Sequence, residues 1–318
     1  MRVLWSLLVG FAALAGAMSS GAAQVPDKPV RIVVQVAAGS SIDISARIIA
    51  DHFTRMWGQQ VVVLNQPGAG GAIATRAALT APPDGTTLFL AASSVFIVLP
   101  QLQPGVEVGK LEPIGFVNEQ PMVFAATPSL PVKTVPELIA YAKAQPGGMN
   151  VGVITRGGLT HLTSEWFRSK ADAPMTFVYY PGTPQALNDV TAGRIPMMVE
   201  TLSGMVGAIS GGTARMLAVA ARERLPNFPD VPTIKETVPG FEAYGWTALV
   251  APPGTPAPMR QAIGESLRKV LSDPEVAKKL ADMGSFVRLM NADELGTFIK
   301  REQEAWRPVI EQVGIKAQ

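Results

Sequence analysis

Hydrophobic and polar positions change period repeatedly along this chain, and the changes outline its elements. Val61–Leu64 is an apolar, β-branched run closed at once by a Pro/Gly turn, Asn65–Gly71. Apolar positions at helical spacing follow over Ala72–Ala81. A Pro-Pro-Asp-Gly turn (Pro82–Gly85) then leads into a second apolar run, Thr87–Ala92, ending in Ser93 and Ser94. Strand, helix and strand joined by connections this short predict a parallel β–α–β unit. Upstream, Lys28–Val36 reads as a strand ending at Ala37–Ser41. A helix follows it, with Ile44, Ile48, Ile49 and Phe53 on one face. Ser40 and Asp43 give that helix a hydroxyl cap and a carboxylate in its first turn. Asp43 and Arg47, four apart, are placed to pair.

Further along, Pro100–Pro113 is a connection punctuated by Pro and Gly. Ile114–Ala126 is extended, with a polar break at Asn118–Gln120. Thr134 and Glu137 form a capping box for a helix through Ala144. Strand and helix then alternate: Asn150–Ile154, Leu159–Lys170, Phe177–Tyr180, Gln185–Ala192, Ile195–Val199 and Met216–Ala220. Ala243–Ala251 is a second extended segment. Helices at Pro258–Leu271, Pro274–Met283 and from Asn291 to about Trp306 complete the chain. The expected fold class is α/β: two doubly wound lobes joined by two extended crossovers. Residues 24–125 with 248–318 would form lobe 1, and 126–247 lobe 2.

Composition narrows the function. The chain has 318 residues, 47% hydrophobic and 16% charged, with a formal charge of +2 from 27 basic and 25 acidic side chains. So even a balance leaves no electrostatic footprint for nucleic acid or a membrane surface. Arg2, the apolar stretch Val3–Ala17 and the small residues Gly21–Ala23 read as a cleaved export signal over residues 1–23, too short and too rich in Gly and Ala for a membrane anchor. There is no cysteine. That removes disulfides, thiol nucleophiles, Cys-ligated metals and lipid attachment through a cysteine. A soluble protein of the Gram-negative periplasm fits these features.

Catalytic signatures are missing. There is no Gly-x-Ser-x-Gly elbow and no phosphate loop ending in Gly-Lys-Ser/Thr. Gly68–Ile73 has Ile73 where a dinucleotide fingerprint needs its third glycine, and reads as a tight turn feeding a helix. His52 falls on a solvated helix face, and His161 fits a structural role fixing a loop better than acid–base work. Two histidines and no cysteine leave little from which to build a zinc site. No cofactor, no metal and no enzymatic activity are expected.

Five loops should instead sit at the carboxyl ends of strands: Gly39–Asp43, Ser93–Ser94, Thr155–Thr160, Gly182–Thr183 and Thr201–Ser203. Each is rich in Gly, Ser or Thr, and most open a helix. Free N–H groups at a helix start hold an anion without Lys or Arg, and the hydroxyls of Ser41, Ser94, Thr160 and Thr183 could add donors. Any one of these loops alone is explained as an N-cap; five converging on one cleft point to a carboxylate site. Its candidate residues are Gly39, Ser40, Ser41, Asp43, Ser93, Ser94, Thr155, Arg156, Gly157, Thr160, Gly182, Thr183, Glu200 and Thr201.

The strings Lys28–Val34, Asn65–Gly71, Pro82–Leu88, Phe228–Glu236, Ala251–Pro258 and Asp273–Gly284, in that order, resemble the receptors of tripartite tricarboxylate transporters, the Bug family. The resemblance spans nearly the whole mature chain. It implies a periplasmic binding protein of the type II, Venus-flytrap architecture, closing on a small organic carboxylate and serving the large and small membrane subunits of a transporter. The receptor is expected to be a monomer that binds no nucleic acid. A sensor passing the ligand to a two-component system is the alternative, and an exported α/β enzyme a further one. The chain departs from the family pattern at Ser40, where a second glycine is usual, and over Val153–Gly158, where a small polar loop is usual. It departs again at Glu200, where an Asp commonly ends the strand. Val153 would add an apolar wall, and Arg156 a fork for a carboxylate unless it faces solvent or pairs with Glu200. Together they favour a dicarboxylate or an aromatic acid.

Overall fold

A computed structural model describes residues 25–314 with the exception of Thr155. The first half of the chain builds β1 (Val30–Val34), α1 (Ser41–Trp57), β2 (Val61–Asn65), α2 (Ala72–Leu79), β3 (Thr87–Ala92), the short α3 (Ser93–Ile97) and α4 (Leu99–Leu102), and the long β4 (Glu112–Ala126). Next come α5 (Val135–Ala144), β5 (Met149–Ile154), α6 (Leu159–Lys170), β6 (Met175–Tyr180), α7 (Thr183–Thr191), β7 (Met197–Thr201), α8 (Leu202–Ser210) and β8 (Arg215–Val219). The chain returns through β9 (Tyr244–Ala251) to α9 (Ala257–Leu271), α10 (Pro274–Asp282), β10 (Phe286–Val287) and α11 (Ala292–Val313).

The strands form one sheet in the order β2-β1-β3-β9-β4-β7-β5-β6, with β8 and β10 also paired to β4. In lobe 1, β1 runs parallel to β2 and β3; in lobe 2, β5 runs parallel to β6 and β7. The two extended segments are the crossovers. β4 and β9 pair antiparallel from Glu112↔Ala251 to Pro121↔Tyr244, and β4 continues into lobe 2 against β7. Helices cover both faces of the sheet, as parallel strands require. On one face of lobe 1, Ile32, Leu88 and Leu90 pack with Ile49 and Phe53 of α1 and Ile263 and Leu267 of α9. On the other, Phe89, Phe116 and Trp246 pack with Phe96 of α3 and Phe298 of α11. Lobe 2 has a separate cluster beneath α7 and α8, around Val123, Met198 and Leu202.

Four elements differ from the sequence pattern. β1 is shorter than the apolar run. Ser93–Leu102 folds into two short helices, not a loop. α11 passes through Pro308, because buried Val309 and Ile310 hold its last turns against the core. The fourth is α8, which carries Gly204 and Gly207 and ends at Gly211-Gly212, a composition that reads as a turn. Packing accounts for Gly204: a Cβ there would lie 3.0 Å from Glu200 Cγ.

Candidate ligand-binding cleft

The crossovers form the floor on which the lobes meet. Side chains alternate along a strand, so Asn118 and Gln120 of β4 share one face with Gly245 and Thr247 of β9, which stand opposite them in register. Ala92, the last residue of β3, pairs with Thr247, and Thr201, the last of β7, pairs with Met122. A Cβ on Gly245 would lie 3.1 Å from Thr201 Cγ2 and 3.7 Å from Leu159 Cδ2. The carboxyl ends of β3 and β7 and the starts of α6 and α8 therefore gather on this one face.

A chain of hydrogen bonds crosses it. Asn118 Nδ2 donates to Ser45 Oγ of α1 at 3.2 Å, and Thr247 Oγ1 donates to Asn118 Oδ1 at 2.9 Å. Gln120 Nε2 lies 3.5 Å from Asn118 Oδ1, and Ser203 Oγ donates to Gln120 Oε1 at 2.9 Å. Ser203 and Thr201 hydroxyls are 3.2 Å apart. Glu200 then accepts from Thr201 N at 2.7 Å, from Thr201 Oγ1 at 3.1 Å and from Thr183 Oγ1 at 2.8 Å. Burial pushes the Glu200 carboxyl up, and these donors oppose that only in part. Apart from Thr183, Glu200, Thr201 and, within the Thr201–Ser203 loop, Ser203, sequence reasoning did not place these residues in the site. Its one signal for the floor was the polar break at Asn118–Gln120 inside an apolar strand.

On lobe 1, the loop after β1 is tied to itself. Gly39 N–H donates to Asp43 Oδ2 at 2.9 Å, and Asp43 N–H to Ser40 Oγ at 3.3 Å. The buried Asp43 carboxylate also accepts from Arg47 Nε and Nη2 at 2.9 and 3.0 Å and from Asn65 Nδ2 at 2.9 Å. Burial pushes its carboxyl up, but the bonds from Arg47, Gly39 and Asn65 outweigh burial and hold it below the usual range. Ser40 and Ser41 are half-buried at the start of α1. After β3, Ser93 is buried and Ser94 half-buried.

On lobe 2, Thr155 lies outside the described residues. Thr160 Oγ1 closes the loop after β5, accepting from Ile154 N at 2.8 Å and donating to Ile154 O at 3.1 Å. Gly157, at φ +80°, donates its N–H to His161 Nδ1 at 3.0 Å. That bond fixes the tautomer: the proton of neutral His161 sits on Nε2, 3.2 Å from the Tyr179 hydroxyl. His161 pins the loop, as its sequence setting indicated. Burial first, then the charges of Arg156 and Arg168, push its pKa down to about 4. Between that value and the usual 6.5 the unfolded chain binds a proton that the folded chain does not. This contribution to stability is complete above pH 6.5, is lost as pH falls toward 4, and changes no further below. The melting-temperature gap between wild type and His161→Gln should therefore narrow from pH 7 to pH 4; a constant gap would mean His161 is not held neutral.

One expectation for this lobe is revised, and one alternative falls away. Val153 is wholly buried in the core with Val151, so it is not a cleft wall. Arg156 does not pair with Glu200, whose partners are Thr183 and Thr201. Arg156 is exposed, with its guanidinium 5.9 Å from the Tyr179 ring centre. On the opposite face of the crossovers, a cavity of about 270 Å³ lies between α6 and α11, lined by Trp166, Arg222, Tyr244, Glu302 and Trp306 among others. Among the described residues, no group of three or more His, Asp or Glu is placed to hold a metal ion.

Two α/β lobes meeting on a polar floor have the architecture of a periplasmic solute-binding protein. Residues 45–315 match the tripartite tricarboxylate transporter family receptor, and the chain belongs to that family. It is 31% identical to Protein BugT of Bordetella pertussis, over 99% of both chains. It is 28% identical to a protein from R. palustris solved with adipate, covering 93% of this chain and all of that one at a TM-score of 0.82. MatC from Rhodopseudomonas palustris, solved with bound malate, is 29% identical, covering 90% of this chain and 99% of that one at a TM-score of 0.77. The protein is a periplasmic receptor for a small organic acid within a transport system of this family.

Proposed function

We propose that the receptor captures an aliphatic dicarboxylate between lobe 1 (residues 24–125 and 248–318) and lobe 2 (126–247), as a monomer. It hands the ligand to the large and small membrane subunits of a tripartite tricarboxylate transporter. Residues 1–23 are an export signal removed after Ala23. The observation that carries this reading is the hydrogen-bonded floor running from Ser45 to Glu200, which brings the strand ends of both lobes onto one polar surface. The adipate and malate found in two related structures support a dicarboxylate. So does Arg156, which stands exposed in the loop after β5 with no carboxylate within ion-pair distance among the described residues. The aromatic alternative loses its support with the burial of Val153.

Deleting the gene should abolish uptake of the radiolabelled dicarboxylate at micromolar concentration. Complementation should restore uptake with a periplasmic protein whose N-terminus is Gln24. Undiminished uptake, with loss instead of a transcriptional response to the acid, would assign the receptor to a sensor.

A further inference from the structure

We propose that Glu200, as a carboxylate, determines which acids the cleft accepts: with the Gln120 carbonyl it takes up the hydroxyl protons at the starts of α7 and α8 and leaves an acceptor surface, which selects an acid bearing a hydroxyl or amino group over the unsubstituted one. The inference rests on the carboxylate-receptor reading above and deepens it.

The argument is a count of protons. A hydroxyl has one proton to give and two lone pairs. Thr183, Thr201 and Ser203 are the half-buried hydroxyls at the starts of α7 and α8. In this proposal Glu200 is ionised in the folded protein, its two oxygens facing three donors against the burial that pushes its carboxyl up. An ionised carboxylate only accepts, so the Thr183 proton then lies on the 2.8 Å line to Glu200 Oε2. Gln120 turns its carbonyl toward Ser203, so the Ser203 proton lies on the 2.9 Å line to Gln120 Oε1. Thr201 has Glu200 Oε1 at 3.1 Å and the Ser203 oxygen at 3.2 Å, and its single proton goes to one or the other. No hydroxyl proton remains for a ligand. What these three side chains offer the cleft is lone pairs.

A carboxylate oxygen placed there would meet acceptors, with the Glu200 charge directly behind them. The partners of Glu200 are neutral donors, so its charge is not cancelled by a neighbouring cation. A hydroxyl or ammonium hydrogen placed there would be bonded. The ligand carboxylates must then be held by other groups of the cleft, with the substituent turned toward α7 and α8.

The test is calorimetry on the mature protein with matched pairs of acids: unsubstituted dicarboxylates of four to six carbons and their 2-hydroxy and 2-amino derivatives. Wild type should bind the substituted acid about tenfold or more tighter, the value of one hydrogen bond to a charged network. In Glu200→Gln the side-chain amide can donate to Thr183 and free its proton, and in Thr183→Val the lone pairs are gone. In both, the preference should fall to within about threefold. Thermal melts confirm folding, and Thr183→Val carries the test if Glu200→Gln does not fold. The same ratio in all three proteins, or a wild-type preference for the unsubstituted acid, would overturn the role of Glu200. Failure of wild type to bind any acid in the series would instead overturn the dicarboxylate reading beneath it.

Discussion

Replacing Asp43 by Ala should destabilise the protein by about 3 kcal/mol, among the largest effects of any polar substitution outside the core. The carboxylate is 2% exposed and accepts from the Gly39 amide, from both Arg47 contacts and from Asn65. Each hydrogen bond to a charged group contributes about 1.5–3 kcal/mol when its loss strands a partner. The sum is discounted because Arg47 is half exposed and regains water. The Gly39–Ser41 turn, with Gly39 at φ +84°, also loses the carboxylate that ties it to α1. Urea unfolding should show a lower midpoint at unchanged slope, with carboxylate affinity falling too because the start of α1 is loosened. A loss under about 1 kcal/mol would mean that the loop is held by the backbone alone.

Gly284→Ala should cost about 2–5 kcal/mol through two separate terms. Gly284 has φ +72°, and a side chain in that region costs about 1–2 kcal/mol. It also lies in lobe 1, between α10 and β10, pressed against the start of α8 in lobe 2. An added Cβ would stand 2.8 Å from Leu202 Cγ and 2.9 Å from Ser203 N, so backbone must move, adding about 1–3 kcal/mol. Gly212→Ala, at φ +70° with open space around it, isolates the first term. The difference between the two variants measures the contact between lobes, and equal losses would show that Gly284 is constrained by its backbone alone.

Much of the architecture can be read from the chain because its connections are short. A strand, a Pro/Gly turn and a helix within the span of Val61–Ala81 leave parallel strands as the economical arrangement; β2 and β3 lie parallel on either side of β1, and parallel strands fix where loops gather. The pattern erred where packing overrode local preference. Gly204 and Gly207 look like breakers, yet α8 forms, with its buried Leu202 and Met205 packed in the lobe 2 core and Gly204 leaving room for the Glu200 side chain. Val153 looked like a change of wall and is a core residue, because it shares the inward face of β5 with Val151.

The chemistry of the cleft was harder to read for a different reason. A threonine in a sequence counts as a donor, but whether its proton is free depends on partners far away. Ser203 meets Gln120, and Asn118 meets Ser45 and Thr247, across dozens of residues. Asn118 and Gln120 stood out as polar residues in an apolar strand. Nothing local said that they join the two lobes.

The central claim is that the cleft binds a carboxylate and does no chemistry on it. Thermal unfolding with a panel of dicarboxylates, followed by recovery of the compound, tests both halves at once. A ligand at a hundredfold excess over Kd stabilises the native state by about 2.7 kcal/mol, a rise of about 5 °C for a protein of this size. The account predicts that rise for at least one dicarboxylate, none for sugars or neutral amides, and the acid recovered unchanged; no shift with any carboxylate, or conversion at a rate proportional to protein concentration, would contradict it.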